Sequence, residues 1–281
     1  MPEYKNSAGI SPARIINYVV LIMIVLVVFL PILIVLFASM KTSTQIGTDF
    51  PLRPPTALNL ENYLTVITKG KMAVGLRNSM LLVAASVVFN SLLGSMTAYT
   101  LRRFNFRFKG VIMALFTLGM VIPANIAEVA RFPVIKSLGL YNTIWAAIII
   151  YAATDLMQIF IYTQFVDKIP LSLDESAMLD GASMYAVFWK IIFPLLIPAT
   201  ATLGIIKAVD VINDMYIPYL YMPSSKLRTL TTTLMDFNSA RAGKWEDLSA
   251  AIILVMIPTL VIYLIFRKFI FAGIVAGAVK E

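Results

Sequence analysis

The sequence predicts an all-α integral membrane protein with about six transmembrane helices, and three observations predict it. Of its 281 residues, 59% are hydrophobic and only 14% charged, whereas soluble domains run near 45–50% and about 25%. The mean hydropathy is +0.85. Several uncharged runs reach the roughly 20 residues that a helix needs to cross about 30 Å of hydrocarbon. There are no cysteines and no histidines. That excludes disulfides, thiolate chemistry, Cys/His metal sites and a histidine pH switch. The net charge of +8 fits cations gathered beside membrane spans better than a nucleic-acid surface, so no nucleic-acid partner is expected.

The polar segment 1–14, with Pro2, Pro12 and Arg14, reads as a short disordered tail. The first apolar run, Ile15 to Ala38, carries no charge. It is too long for a signal-peptide core, and no small-x-small cleavage site follows it, so it predicts an uncleaved span. Residues 39–77, with Pro51, Pro54 and Pro55, form the first long loop. The second run, Ser79 to Leu101, has Gly94 and Ser95 midway, which lets helices approach closely. Arg102, Arg103, Arg107 and Lys109 then fall in one very short loop. Positive charge in short loops marks the cytoplasmic side, which places 102–110 there. The remaining runs are Val111 to Phe132 with Pro123 inside, Thr143 to Val166, Ile191 to Ile217, and Leu248 to Phe266, closed by Arg267 and Lys268. Alternation puts the N-terminus, 167–190 and the C-terminus in the cytoplasm, and 39–77, 133–142 and 218–247 outside. The expected organisation is a cytoplasmic tail (1–14), a first span with its external loop (15–73), a membrane core of spans two to six (74–266) and a cytoplasmic C-terminal tail (267–281).

The loop 167–190 carries the most specific pattern. Ser172 and Glu175 have capping-box spacing, Asp174 and Glu175 suit the positive end of a helix, and Gly181 is a natural left-handed stop. A helix of about eight residues is expected between Leu173 and Asp180. Ser183 caps a second helix that runs toward the fifth span, which it enters at Pro194 and Pro198. Helices this short are marginal alone in water, so this one needs a docking surface, either on its own membrane domain or on another protein.

Glu175-Ser176-Ala177, three residues, Gly181, nine residues and Ile191-Ile192-Phe193-Pro194 resemble the E-A-A-x3-G-x9-I-x-L-P signature of binding-protein-dependent ABC importer permeases. Ser176 and Phe193 are the departures. Asn78-Ser79, the run Ala98 to Phe104, Ile122-Pro123, the run Leu138 to Thr143, Ile257-Pro258-Thr259 and the run Ala272 to Lys280 extend the likeness to the maltose-type sugar permeases over nearly the full length. The resemblance implies a type I permease fold in a bacterial or archaeal cell membrane. It implies four kinds of partner: a second homologous permease, two cytoplasmic ABC ATPase subunits, an external solute-binding protein, and membrane lipid. It implies a sugar or oligosaccharide as solute. Glu175, Ser176, Ala177, Asp180 and Gly181 become the ATPase-coupling residues, with Gly273, Gly277 and Lys280 of the tail beside them. A Trp-Asn-Glu-Phe run usual in the family near the end of the fifth span reads Ile212-Asn213-Asp214-Met215 here. The chain has no G-x-x-x-x-G-K-[ST] loop, so it should bind no cofactor itself, with ATP and Mg on the partner ATPase. No convergent acid, base or metal set stands out, so the chain is read as non-catalytic.

Charge within a span costs roughly 2.5–3.5 kcal/mol near the bilayer centre, so a polar residue there is a functional candidate. Lys207, Asp210 and Asp214 recur at i, i+3 and i+7, a stripe about 10 Å long, with Asn213 beside it. They form either a polar wall of a solute pathway or a Lys–Asp pair neutralised against a neighbouring helix. Asp155 and Gln158 on the fourth span line either a cavity or a partner contact. Glu128 and Arg131 should pair with each other. Tyr216, Tyr219, Tyr221 and Trp245 suit an interfacial aromatic belt or stacking on sugar rings. The rival readings are an ion-coupled secondary transporter, for which no inverted repeat is visible, an ABC permease for a non-sugar solute, and a membrane-embedded enzyme.

Overall fold

The computed structural model describes residues 12–153, 155–237 and 244–278, with the backbone alone at 13, 124, 125 and 267–278. In chain order the helices are α1 (Pro12–Ala38), α2 (Ser43–Thr48), α3 (Glu61–Lys69), α4 (Met72–Arg103), α5 (Lys109–Val121), α6 (Ala124–Ser137), α7 (Ile144–Ala152) and α8 (Leu156–Asp167). There follow α9 (Leu171–Leu179), α10 (Met184–Val187), a π turn (Phe188–Ile192), α11 (Phe193–Asn213), α12 (Tyr216–Tyr221), a short 3-10 turn (Ser225–Leu227), α13 (Leu230–Phe237) and α14 (Trp245–Ala278). Among the described residues there is no strand. Four helices are long and apolar enough to span a membrane, and two bent pairs raise the number to six. The chain separates into two compact units, Met1–Lys69 with Phe237–Leu254, and Gly70–Asp236 with Val255–Glu281.

In the first unit, α1 contains the uncharged run expected, begins three residues before it at Pro12 and so includes Arg14, and is 27 residues long with exposed aliphatic side chains along most of its length. A capping box opens α2: the Thr42 amide donates to Gln45 Oε1 at 3.0 Å, and the Gln45 amide to Thr42 Oγ1 at 3.4 Å. One face of α3 is fastened to the residues just past α1. Asn62 Nδ2 donates to the Ser39 and Lys41 carbonyls, each at 2.9 Å, and the Tyr63 and Ser39 hydroxyls meet at 2.7 Å.

The second unit is built around α4, which packs against α7, α8 and α11. Its buried seam is small and polar: Ser86, Asn90, Ser91, Gly94, Ser95 and Ala98. The approach of α11 is correspondingly close, since a Cβ placed on Gly204 would sit 3.1 Å from Val87 Cγ1. One apolar cluster gathers Leu82, Ile135, Ala146, Tyr151 and Tyr221. The other gathers Tyr99, Tyr162, Val166, Phe188, Ile192 and Leu196.

Three expected spans are not the simple rods the apolar runs suggested. The third breaks at Ile122-Pro123, and α5 and α6 lie at 113° to each other. Pro123 has no N–H to donate and drives Ile122 out of the helical region, to φ −77° and ψ 120°. The fourth breaks after Ala152, with a 42° bend. There Asp155 caps α8 by accepting from the Met157 amide at 2.9 Å, while Asn90 Nδ2 of α4 donates to the freed Ala153 carbonyl at 3.1 Å. The fifth starts at Met184, inside the 167–190 loop, and runs through to Asn213 rather than to Ile217. Pro194 cannot donate to the Lys190 carbonyl one turn back. The turn before it widens, and the Phe193 amide donates to Phe188 O, an i to i+5 bond. The sixth continues as helix past Phe266 to Ala278.

Candidate functional site

The loop 167–190 is anchored on the end of α4. Arg102 holds Asp167 through two nitrogens, and Arg103 donates to the Ile169 carbonyl at 2.7 Å. Pro170 then serves as the N-cap of α9, with φ −58° and ψ 134°. The helix therefore starts two residues earlier than expected, and Ser172 lies inside it. The Ser172/Glu175 capping box does not form. The acid that matters structurally is Asp174. It is 3% exposed, accepts from the Tyr99 hydroxyl at 3.0 Å, and lies 3.2 Å from Arg103 Nε as an ion pair. That N–H is not aligned for a hydrogen bond. Gly181 ends the helix in the left-handed region, at φ +85°. The Ala182 and Gly181 amides donate to the Ala177 and Met178 carbonyls at 3.0 Å each, a Schellman stop. No atom lies within 4 Å of where a Cβ on Gly181 would be, so the demand for glycine is conformational.

The carried-over coupling residues divide by exposure. Glu175, Ser176, Asp180 and Gly181 are exposed, and Ala177 is half-buried against the Tyr99–Tyr162 cluster. Beside them α9 exposes Leu171, Leu173, Met178 and, at 89%, Leu179. Gly273 and Gly277 lie in α14, and Lys280 lies outside the described residues.

Toward the other end of the unit, a cavity of about 810 Å³ opens between α6, α7, α8 and α11. Glu128, Arg131, Tyr151, Asp155, Lys207 and Asp214 bring its charge and polarity. A smaller pocket of about 130 Å³ shares Asp155 and Lys207 with it and adds Gln158 and Asp210. Five of the six pathway candidates thus gather around two adjoining spaces. Asn213 lines neither; its Oδ1 accepts from Thr259 Oγ1 at 3.3 Å.

The Lys207–Asp210–Asp214 stripe is shorter than expected, because α11 ends at Asn213. Asp214 is a cap: it accepts from the Tyr151 hydroxyl at 2.8 Å and from the Tyr216 and Ile217 amides at 2.7 and 3.3 Å. Among the described residues Lys207 forms no ion pair; its Nζ lies 5.8 Å from the centre of the Tyr151 ring, within cation–π range. The Lys–Asp pair of the alternative reading is not formed. Glu128 and Arg131 do pair, and Glu128 also accepts from the Tyr221 hydroxyl at 2.7 Å. Tyr221 is fully buried rather than part of a belt, while Tyr216, Tyr219 and Trp245 are exposed. The sequence pointed to none of the Tyr99–Arg103–Asp174 clamp, the Asn90 latch or the Tyr151–Asp214 bond, because each joins residues at least 63 positions apart.

A polytopic helical bundle with broken third and fourth spans, a stapled loop helix and a mixed-charge cavity defines a membrane transport subunit. Residues 90–275 match the family described as binding-protein-dependent transport system inner membrane component, and the chain belongs to it. It is a membrane-spanning permease of the ATP-driven ABC importer class. The chain is 32% identical over 256 residues to a putative ABC transporter permease of Caldicellulosiruptor sp., covering 91% of this chain and 93% of that one. It is 30% identical to the melibiose/raffinose/stachyose import permease MelC of Bacillus subtilis, covering 90% and 91%. It is 31% identical to the multiple sugar-binding transport system permease MsmG of Streptococcus mutans, covering 94% and 96%. In fold it is similar to a chain in the crystal structure of a bacterial ABC transporter that imports the acidic polysaccharide alginate, with TM-score 0.80, 21% identity, and 95% and 99% covered. Neither the family nor the fold supports an ion-coupled carrier.

Proposed function

We propose that this chain forms half of the membrane pathway for a sugar or oligosaccharide and converts ATPase closure into alternating access through α9. A second homologous permease completes the pathway, and an external solute-binding protein delivers the solute. Two cytoplasmic ATPase subunits, carrying ATP and Mg, dock below, one of them on the exposed face of α9, and this chain performs no chemistry. The end bearing α9, with both termini, is cytoplasmic. The observation that carries this reading is the division of α9 into two faces. Asp174 is locked to Tyr99 and Arg103 of α4, while Glu175, Ser176, Asp180 and a set of apolar side chains stay exposed. A displacement imposed on the outer face is thereby delivered to α4, and through the π turn to α11. Support for a sugar comes from the relatives and from a cavity whose interleaved donors and acceptors suit hydroxyl groups.

The test is reconstitution in vesicles with the second permease, ATPase and solute-binding protein encoded alongside. ATP hydrolysis is measured with the binding protein loaded with a series of saccharides. One saccharide should stimulate hydrolysis and enter the vesicles. Glu175→Lys reverses an exposed charge, and Gly181→Pro demands φ near −65° where the chain has +85°. Both should abolish stimulation without dismantling the complex; stimulation that survives both rejects α9 as the coupling element.

A further inference from the structure

We propose that α3 is an interfacial helix that sets Leu60, Leu64 and Ile67 into the lipid leaflet at the end of α1. At 100° per residue these three side chains fall within an arc of about 60°. They are exposed by 62%, 62% and 50%. Asn62 and Val66, on the opposite face, are buried. The helix is thus amphipathic in an inverted sense: its polar Asn62 holds it to its own chain, and its aliphatic stripe has no cover among the described residues.

Lipid is the occupant because of where the helix is tied. Ser39 and Lys41, whose carbonyls Asn62 engages, directly follow the last residue of α1. A 27-residue helix is about 40 Å long, close to the 40–45 Å of a bilayer with its headgroup layers. The tie therefore holds α3 at headgroup depth. There a short aliphatic stripe buries about 5–10 Å into the boundary with the acyl chains. The stripe carries no aromatic ring and no charge. Non-directional contact with acyl chains fits that chemistry. The inference depends on α1 crossing a membrane and is independent of the solute transported.

The chain has no native cysteine, so single cysteines at 61, 64, 67 and 68 can each carry an environment-sensitive fluorophore. The full chain is reconstituted with its partner subunits in vesicles of phosphatidylethanolamine and phosphatidylglycerol. Quenching is compared between nitroxide-bearing lipid and iodide supplied on both sides of the bilayer. Labels at 64 and 67 should be quenched by the lipid nitroxide, shifted to the blue and shielded from iodide. Labels at 61 and 68, turned toward the polar flank, should show more iodide quenching and less lipid quenching. Labels at 64 and 67 open to iodide would overturn the proposal. Labels reached by neither quencher, with or without the solute-binding protein, would also overturn it, because a protein surface would then cover the stripe.

Discussion

Removing the Asp174 carboxylate by Asp174→Ala leaves the Arg103 guanidinium, whose side chain is 12% exposed, without its counter-charge, and leaves the Tyr99 hydroxyl unpaired. Breaking a buried ion pair on one side costs about 3–5 kcal/mol. Two features reduce that here: Arg103 keeps its bond to the Ile169 carbonyl, and its Nε–H is not aligned on Asp174. About 2 kcal/mol is the expected loss, and it falls on the docking of α9, because a nine-residue helix has little stability of its own. That corresponds to a roughly 30-fold shift in a docked/undocked equilibrium. Hydrogen exchange measured on the reconstituted complex should show α9 amides exchanging faster by about that factor, with α4 and α8 changed little. Adding Arg103→Met to Asp174→Ala removes the stranded charge and should recover part of the loss, a coupling that a double-mutant cycle reads directly. Unchanged α9 exchange in Asp174→Ala, or a double variant worse than the sum of the singles, would refute the clamp.

Gly75 lies where α4 passes under the segment before α13. A Cβ there would sit 3.2 Å from both the Leu230 amide nitrogen and the Thr229 carbonyl carbon, backbone atoms that cannot swing aside. Gly75→Ala should therefore lower thermal stability by about 1–3 kcal/mol. Gly47→Ala, with no atom within 4 Å of the new Cβ, should be neutral or gain up to about 1 kcal/mol; a denaturation scan on both variants checks the contrast. Lys207→Met removes the ammonium shared by the two pockets. Loss of a hydrogen bond to a charged group is worth about 1.5–3 kcal/mol, so vesicle uptake of the stimulating saccharide should fall roughly tenfold or more, and unchanged uptake would remove Lys207 from the pathway.

Uncharged length made spans one, two and six legible, and apolar length most of span five despite Lys207 and Asp210, because one run of side chains decides a membrane helix. The breaks in spans three and four were half legible. Pro123 was visible, but a proline bends one helix and ends another, and only the packing of Ile135 and Glu128 fixes α6 across the direction of α5. The spacing of Asp155 left open a cavity lining or a partner contact; the structure sets it beside a cavity and also makes it the cap that restarts the fourth span, a role spacing alone does not reveal. The glycine stop of α9 was legible because left-handed backbone is a local property. Its start was not, since Pro170 and Ser172 are rival local signals and the anchoring of Arg103 on Ile169 favours the earlier one.

The wide turn at Phe188–Ile192 changes how span five should be counted. An i to i+5 bond closes one turn with a residue more than an α-helix uses. A helical wheel carried from Ser183 through to Lys207 is therefore out of phase by one position, about 100°. The residues on the two sides of the turn belong to separate wheels. A residue deleted within the turn restores an ordinary α turn and leaves Lys207 and Asp210 facing the same way. A residue deleted after Pro198 swings every side chain beyond it off its face. Between the stop glycine and the membrane proline, the chain holds a spare residue whose removal would shorten the sequence without turning the faces beyond it.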